Sequence, residues 1–142
     1  LIIVGDGKSY KEECLEYINK NQLKNRVKIF SGLSLSEMAC VYQEAEMMIY
    51  PSIFEGFGIP ILEALNSRIP VITSKGGCFK EAGGESSLYV DPLSINEISH
   101  AITKIDNNSI LRKEIVEKGY EHAQNFNDDI IAKNLANLYN SL

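Results

Sequence analysis

Five short apolar runs recur along the chain: Leu1 to Val4, Val27 to Phe30, Met47 to Tyr50, Ile69 to Thr73 and Leu88 to Val90. Between them the apolar residues fall at helical spacing, as at Tyr10, Cys14, Leu15 and Ile18. Each run is short and is followed closely by glycine or proline, so each predicts a strand, a buried one at Leu1 to Val4 and at Met47 to Tyr50. Regular alternation of strand and helix predicts an α/β fold on an open parallel sheet, with ligands at the carboxyl ends of the strands. From Ser94 onward the pattern is wholly helical. Ile95, Ile98, Ala101, Ile102 and Ile105 form one stripe, and a second helix runs from Ile110 or Leu111 to about Gln124. A third runs from Asn127 to Leu142, with Ile130, Ile131, Leu135 and Leu138 on its apolar face.

The most informative turn lies between the third strand and the helix after it, from Pro51 to Glu63. Gly56 and Gly58 bracket Phe57, which permits unusual backbone angles and close approach of a ligand. Pro60 suits a first helical residue, so a helix should start near Ile59 or Pro60 and end near Asn66. The unpaired N–H groups at such a start, from Gly56 to Ile59, form a ready site for a phosphate or another anion. Glu55 precedes the glycines, and Glu63 is expected in the first helical turn. A carboxylate only accepts hydrogen bonds, so beside an anion site it suits hydroxyl groups, and sugar phosphates carry both. Taken singly, each glutamate is explained without function: Glu55 as a solvated charge, Glu63 as a partner of the helix dipole contributing ~0.3–1 kcal/mol. The pair with its glycines points to a binding site.

Other turns carry less. Gly5-Asp6-Gly7 begins like a dinucleotide fingerprint, but Tyr10 occupies the third glycine position, and Gly7-Lys8-Ser9 imitates the end of a P-loop whose first glycine is replaced by Ile2. Gly5 either lets a ligand approach or simply makes a turn. Gly32 to Ser34 reads as a loop before a helix running from Leu35 or Ser36 through Ala45, with Ser34 and Ser36 as candidate caps and Glu37 in the first turn. Leu33 and Leu35 are open to two readings, core packing or an apolar surface for a ligand.

The segment Glu55-Gly56-Phe57-Gly58-Ile59-Pro60-Ile61-Leu62-Glu63 resembles the donor-binding signature of retaining glycosyltransferases of family 4, two glutamates separated by seven residues around a Gly-aromatic-Gly turn. The resemblance continues, in order, through Gly5-Asp6-Gly7, Arg26-Val27, Gly32, Ala45-Glu46, Pro70-Val71 and Leu88 to Pro92, most of the chain. It implies a Rossmann-like domain, residues 1–142, forming the carboxyl-terminal, donor-binding half of a GT-B architecture. Glu55 would then contact the sugar hydroxyls, Gly56, Phe57, Gly58 and Ile59 the sugar and diphosphate, and Glu63 the ribose. Gly5, Gly32, Leu33, Ser34 and Leu35 would lie toward the nucleotide base. The family keeps a Pro-Glu pair where this chain has Lys80-Glu81, which leaves that loop's ligand contacts unassigned.

The resemblance implies transfer of a hexosyl group from a nucleotide-diphosphate sugar to a saccharide or lipid-linked acceptor, with retention and with neither metal nor other cofactor. An amino-terminal acceptor-binding domain of the same protein would be the partner, and membrane contact by the whole enzyme stays open. The opening at Leu1 without methionine predicts a piece of a longer protein, and the family's arginine and lysine clamp for the diphosphate would lie before Leu1. The fragment alone should therefore be inactive. Two readings of other classes compete: a noncatalytic nucleotide-binding module, and a receiver-like interaction domain whose glutamates are surface charges.

Composition narrows the field. Of 142 residues 44% are hydrophobic, enough for a real core, and 14 Lys and Arg against 19 Asp and Glu give a net charge of −5 without a basic cluster, which argues against nucleic acid. Three cysteines, Cys14, Cys40 and Cys78, are odd in number and widely spaced. They read as packing residues of a protein in a reducing cytoplasm, without a disulfide framework or zinc site. His100 and His122 are too far apart for a helical metal pair and read as helix-surface residues. No apolar run approaches the ~20 residues that cross a bilayer.

Overall fold

All five predicted strands form, and all pair in parallel. The computed structural model describes residues 1–141, at Lys8 the backbone only, so Leu142, the predicted end of the last helix, lies outside the described residues. The chain divides into two compact units, Leu1–Cys40 and Val41–Leu142.

In the first unit, β1 (Ile2–Val4) and β2 (Lys28–Phe30) pair in register, Ile3 opposite Ile29, with α1 (Lys8–Lys20) between them in sequence. Ile18 of α1 is buried, but Ile2 and Val4 are exposed and only Ile3 is partly covered. The expectation of a buried first strand is therefore wrong. β1 and β2 make a two-stranded sheet whose alternate side chains find no cover among the described residues of their unit. Helix α2 (Leu35–Glu44) starts with a reciprocal cap: Ser34 Oγ accepts from the N–H of Glu37 at 3.3 Å, and Glu37 Oε2 accepts from the N–H of Ser34 at 2.8 Å. The division between the units falls within this helix.

The second unit is built on β4 (Val71–Ser74), which lies between β3 (Met48–Tyr50) and β5 (Leu88–Val90) and is buried at all four residues. A central parallel strand is covered on both faces, which is why its sequence is apolar or hydroxyl-bearing without alternation. Ile72 and Val90 pack with Ala101 and Ile105 of α5 (Ile95–Asp106) and Ile115 of α6 (Ser109–Gln124). Helix α3 (Ile59–Asn66) packs against α6 and against the short α4 (Phe79–Gly83). The α3–α6 approach is close: a Cβ on Gly119 would meet Leu65 Cδ2 at 2.7 Å. Ser94 and Asn108 cap α5 and α6 by accepting from the N–H groups of Glu97 and Leu111.

The last helix, α7 (Asp128–Asn140), buries no residue, and its predicted apolar face of Ile130, Ile131, Leu135 and Leu138 is exposed. Three packing assignments also change. Cys40 is exposed on α2, and Leu35 is 88% exposed, so neither packs in the core. His122 is not a free surface residue: its Nε2 donates to the carbonyl of Glu81 at 2.9 Å and its ring meets Phe126 edge-on, tying the end of α6 to α4.

Candidate active site at the glycine turn

The turn between β3 and α3 rests on β4. Thr73 Oγ1, fully buried, donates to the carbonyl of Tyr50 at 3.0 Å, Ser74 Oγ donates to the carbonyl of Ser52, and the Cys78 thiol donates to the carbonyl of Glu55 at 3.4 Å. Two hydroxyls of the buried strand and one thiol thus give partners to carbonyls at the end of β3 and in the turn that follows it. Beyond them Phe57 packs on Phe126, ring centroids 5.5 Å apart.

The predicted start and end of α3 hold, with Gly58 as the residue before the first turn and Pro60 second in the helix. Gly58 has φ +101°, and a Cβ there would lie 3.1 Å from Ile61 Cδ1 and 3.6 Å from Ala82 Cβ. The conformation excludes side chains, and the space is taken by protein atoms. Gly56 differs: it has no positive φ, and nothing lies within 4 Å of a Cβ placed on it. Among the described residues, none of the N–H groups of Gly56, Phe57, Gly58 and Ile59 donates to a protein acceptor. They are the orphan donors of the helix start and the turn before it.

Both glutamates flank these donors, and both are held. Glu55 Oε1 accepts from Tyr50 Oη at 2.5 Å and from Ser52 Oγ at 2.9 Å. These two bonds, Tyr50's first, hold the Glu55 carboxyl below the usual carboxylate range. Burial and then the bond to Glu55 push the Tyr50 phenol up to about 12. Glu63 is not in the first turn as expected; it is the fifth residue of α3, and its Oε2 accepts from Tyr42 Oη of α2 at 3.0 Å. A residue one turn in has little to gain from the dipole and faces a neighbouring helix instead. Tyr42 is buried, which raises its phenol well above the usual range, the bond to Glu63 adding to the effect. Neither glutamate belongs to any of the ion pairs among the described residues, whereas Glu46, Glu85, Glu97, Glu114 and Glu117 all do.

The remaining predicted residues lie in the first unit, at the carboxyl end of its sheet. Gly5 follows β1 and its N–H donates to the carbonyl of Phe30, extending the ladder by one bond at 3.0 Å. Gly32, at φ +69°, follows β2 with nothing within 4 Å of a Cβ. Ser34 spends its hydroxyl and N–H on Glu37, which leaves Leu33, partly buried, and the exposed Leu35 as the surface of this loop. Sequence reasoning missed Tyr42, Tyr50, Ser52 and Phe126. Only Ser52 and Tyr50 stand near enough to Glu55 in the chain to have been suspected.

Residues 1–122 match the model of the family described as Glycosyl transferases group 1. The O-antigen chain mannosyltransferase of Salmonella typhimurium is 36% identical over 106 residues, which are 75% of this chain and 30% of that protein. Among solved structures, sucrose-phosphate synthase from Thermosynechococcus elongatus matches with a TM-score of 0.85 at 25% identity, over 99% of this chain and 38% of that one. The C-terminal domain of a glycosyl transferase group 1 family protein from Francisella tularensis matches with a TM-score of 0.73 at 25% identity, over 82% of this chain and 62% of that one. The chain thus spans less than two thirds of each, and α7 follows the residues that the family model matches.

Proposed function

Because this chain belongs to the family of group 1 glycosyl transferases, we propose that it supplies the donor side of a retaining glycosyltransferase, one that moves a hexosyl group from a nucleotide-diphosphate sugar to a saccharide or lipid-linked acceptor. The observation that carries this reading is the row of four unpartnered N–H groups at Gly56 to Ile59, set between two carboxylates that are engaged by neutral donors only. Departure of a nucleoside diphosphate develops negative charge, and fixed backbone donors stabilise it without reorganising at the moment of reaction. Glu55 holds the sugar hydroxyls, Gly56, Phe57, Gly58 and Ile59 take the diphosphate, and Glu63 accepts from the ribose. Gly5, Gly32, Leu33, Ser34 and Leu35 are the residues assigned to the base. An acceptor-binding domain in the same protein completes the cleft, and residues 1–142 alone transfer no sugar.

The test is transfer by the complete gene product. The relative at 36% identity is named a mannosyltransferase, so GDP-mannose is the first donor, followed by UDP- and ADP-sugars. Glu55→Gln should abolish most transfer while the protein stays folded. Glu63→Gln should weaken nucleotide binding by roughly 1.5–3 kcal/mol if both ribose bonds form in a closed cleft. Full transfer by Glu55→Gln would refute the assignment of the sugar site.

A further inference from the structure

Resting on that donor-site reading, we propose that Tyr50 and Tyr42 are the positioning residues of the site, each donating its hydroxyl hydrogen to one oxygen of one glutamate and so fixing which oxygen remains for ligand hydroxyls. Glu55 stands in an irregular turn, where no helix or ladder restricts its rotamers, and Glu63 is exposed on α3. An unheld carboxylate in such places samples several orientations, and a ligand that needs one of them must order it on binding. Tyr50 Oη and Ser52 Oγ converge on the same oxygen of Glu55, and Tyr42 Oη takes Oε2 of Glu63. No other protein donor among the described residues reaches the second oxygen of either group.

The choice of tyrosine has a chemical consequence. A lysine or arginine would orient a carboxylate equally well, but it would compensate the charge and compete for the lone pairs that ligand hydroxyls need. A phenol orients while leaving the charge in place. Elsewhere on the surface this chain does the opposite, pairing Glu97 with Lys75 and Glu117 with Arg68. Both tyrosines are also anchored. Tyr42 is buried on α2, and the carbonyl of Tyr50 accepts from Thr73 of the central strand, so each hydroxyl is delivered from a rigid element. Both phenols are protonated, and hence donors, throughout the physiological range, and burial moves them further from ionisation.

The two pins predict separable effects, because one glutamate is assigned to the sugar and the other to the nucleotide. Calorimetry on the complete gene product would compare GDP with GDP-mannose and UDP with UDP-glucose for the unmodified protein, Tyr50→Phe and Tyr42→Phe. Phenylalanine keeps the shape and removes only the donor. For the pair that the unmodified protein binds, Tyr50→Phe should weaken the sugar nucleotide about tenfold and leave the bare diphosphate within about twofold, the scale of one charge-assisted hydrogen bond at a partly buried carboxylate. Tyr42→Phe should weaken both ligands by the same factor. Carbon-13 titration of the glutamate carboxyls should show the Glu55 midpoint rising in Tyr50→Phe, and rising less in Ser52→Ala, which serves if the tyrosine variant folds poorly. Equal loss of both ligands in Tyr50→Phe, no loss of either, or an unmoved Glu55 midpoint overturns the inference. Failure of the donor-site reading looks different: the unmodified protein then binds none of the four compounds.

Discussion

Gly56 and Gly58 flank the same phenylalanine and are interchangeable as letters in a motif, yet the structure gives them opposite reasons to exist. Gly58 sits at φ +101° with Ile61 and Ala82 against the place of its missing side chain, so the fold requires it. Gly56 has an ordinary backbone and open space, so nothing among the described residues requires it. Under the proposed function, the space beside Gly56 is where the donor would lie. A glycine in a binding turn can therefore serve the backbone or the ligand, and the two are told apart by where an added Cβ would point.

The sharpest way to break this contrast is Gly58→Val. Left-handed backbone strain of about 1–3 kcal/mol adds to a similar cost for pushing Ile61 and Ala82 aside, so urea unfolding should show a loss of about 3 kcal/mol or more. A loss under about 0.5 kcal/mol would mean that the turn relaxes freely and that the two glycines are alike. Next comes Thr73→Val, which keeps the shape of a fully buried side chain but removes its bond to the Tyr50 carbonyl. Losing that buried bond should cost about 0.5–1.5 kcal/mol, and an unchanged unfolding midpoint would show that β4 does not carry the turn.

A pH titration tests the Glu55 side of the turn. The folded phenol of Tyr50 is pushed up to about 12, above the ordinary value of about 10, so the folded state holds this proton more tightly than the unfolded chain. Its contribution is complete below about pH 10 and is lost as pH rises through about 12. Absorbance at 295 nm should show Tyr50 among the late-titrating tyrosines, with Tyr42 and Tyr89, and Tyr50→Phe should remove one late equivalent. A single wave near pH 10 for all seven tyrosines would contradict it. The smallest effect belongs to Gly56→Ala, which should stay within about 0.5 kcal/mol of the parent in stability. A reduced affinity for the donor in that variant would sharpen the contrast; a destabilised fold would erase it.

What the sequence revealed and what it hid divide along the range of the interactions. The five strands, the bounds of α3 at Ile59 and Asn66, and the Ser34–Glu37 cap were legible because proline, glycine and capping residues act on their immediate neighbours. The burial of β1 was misjudged because an apolar run specifies a strand but not how many neighbours its sheet supplies. The partners of the glutamates were hidden for a related reason. Tyr42 and Glu63 stand 21 residues apart and meet only through the fold, and no periodicity in the sequence records that. Apolar patterning likewise gave the helix of Ile130 to Leu138, but none of its residues is buried among the described residues.

The contact between Phe57 and Phe126 also sets an order of events. Helix α3 and the glycines before it are neighbours in sequence and can find their local shape as soon as they are made. The ring that braces Phe57 comes from just beyond the end of α6, and His122 in the last turn of that helix meets the same ring edge-on. Contacts between such distant residues form late and slowly relative to local ones. At ribosomal rates the brace is made on the order of several seconds after the turn. For that interval the newly made Gly-Phe-Gly segment exposes its phenylalanine, so the glycine turn is finished late in the unit, although its helix can form early.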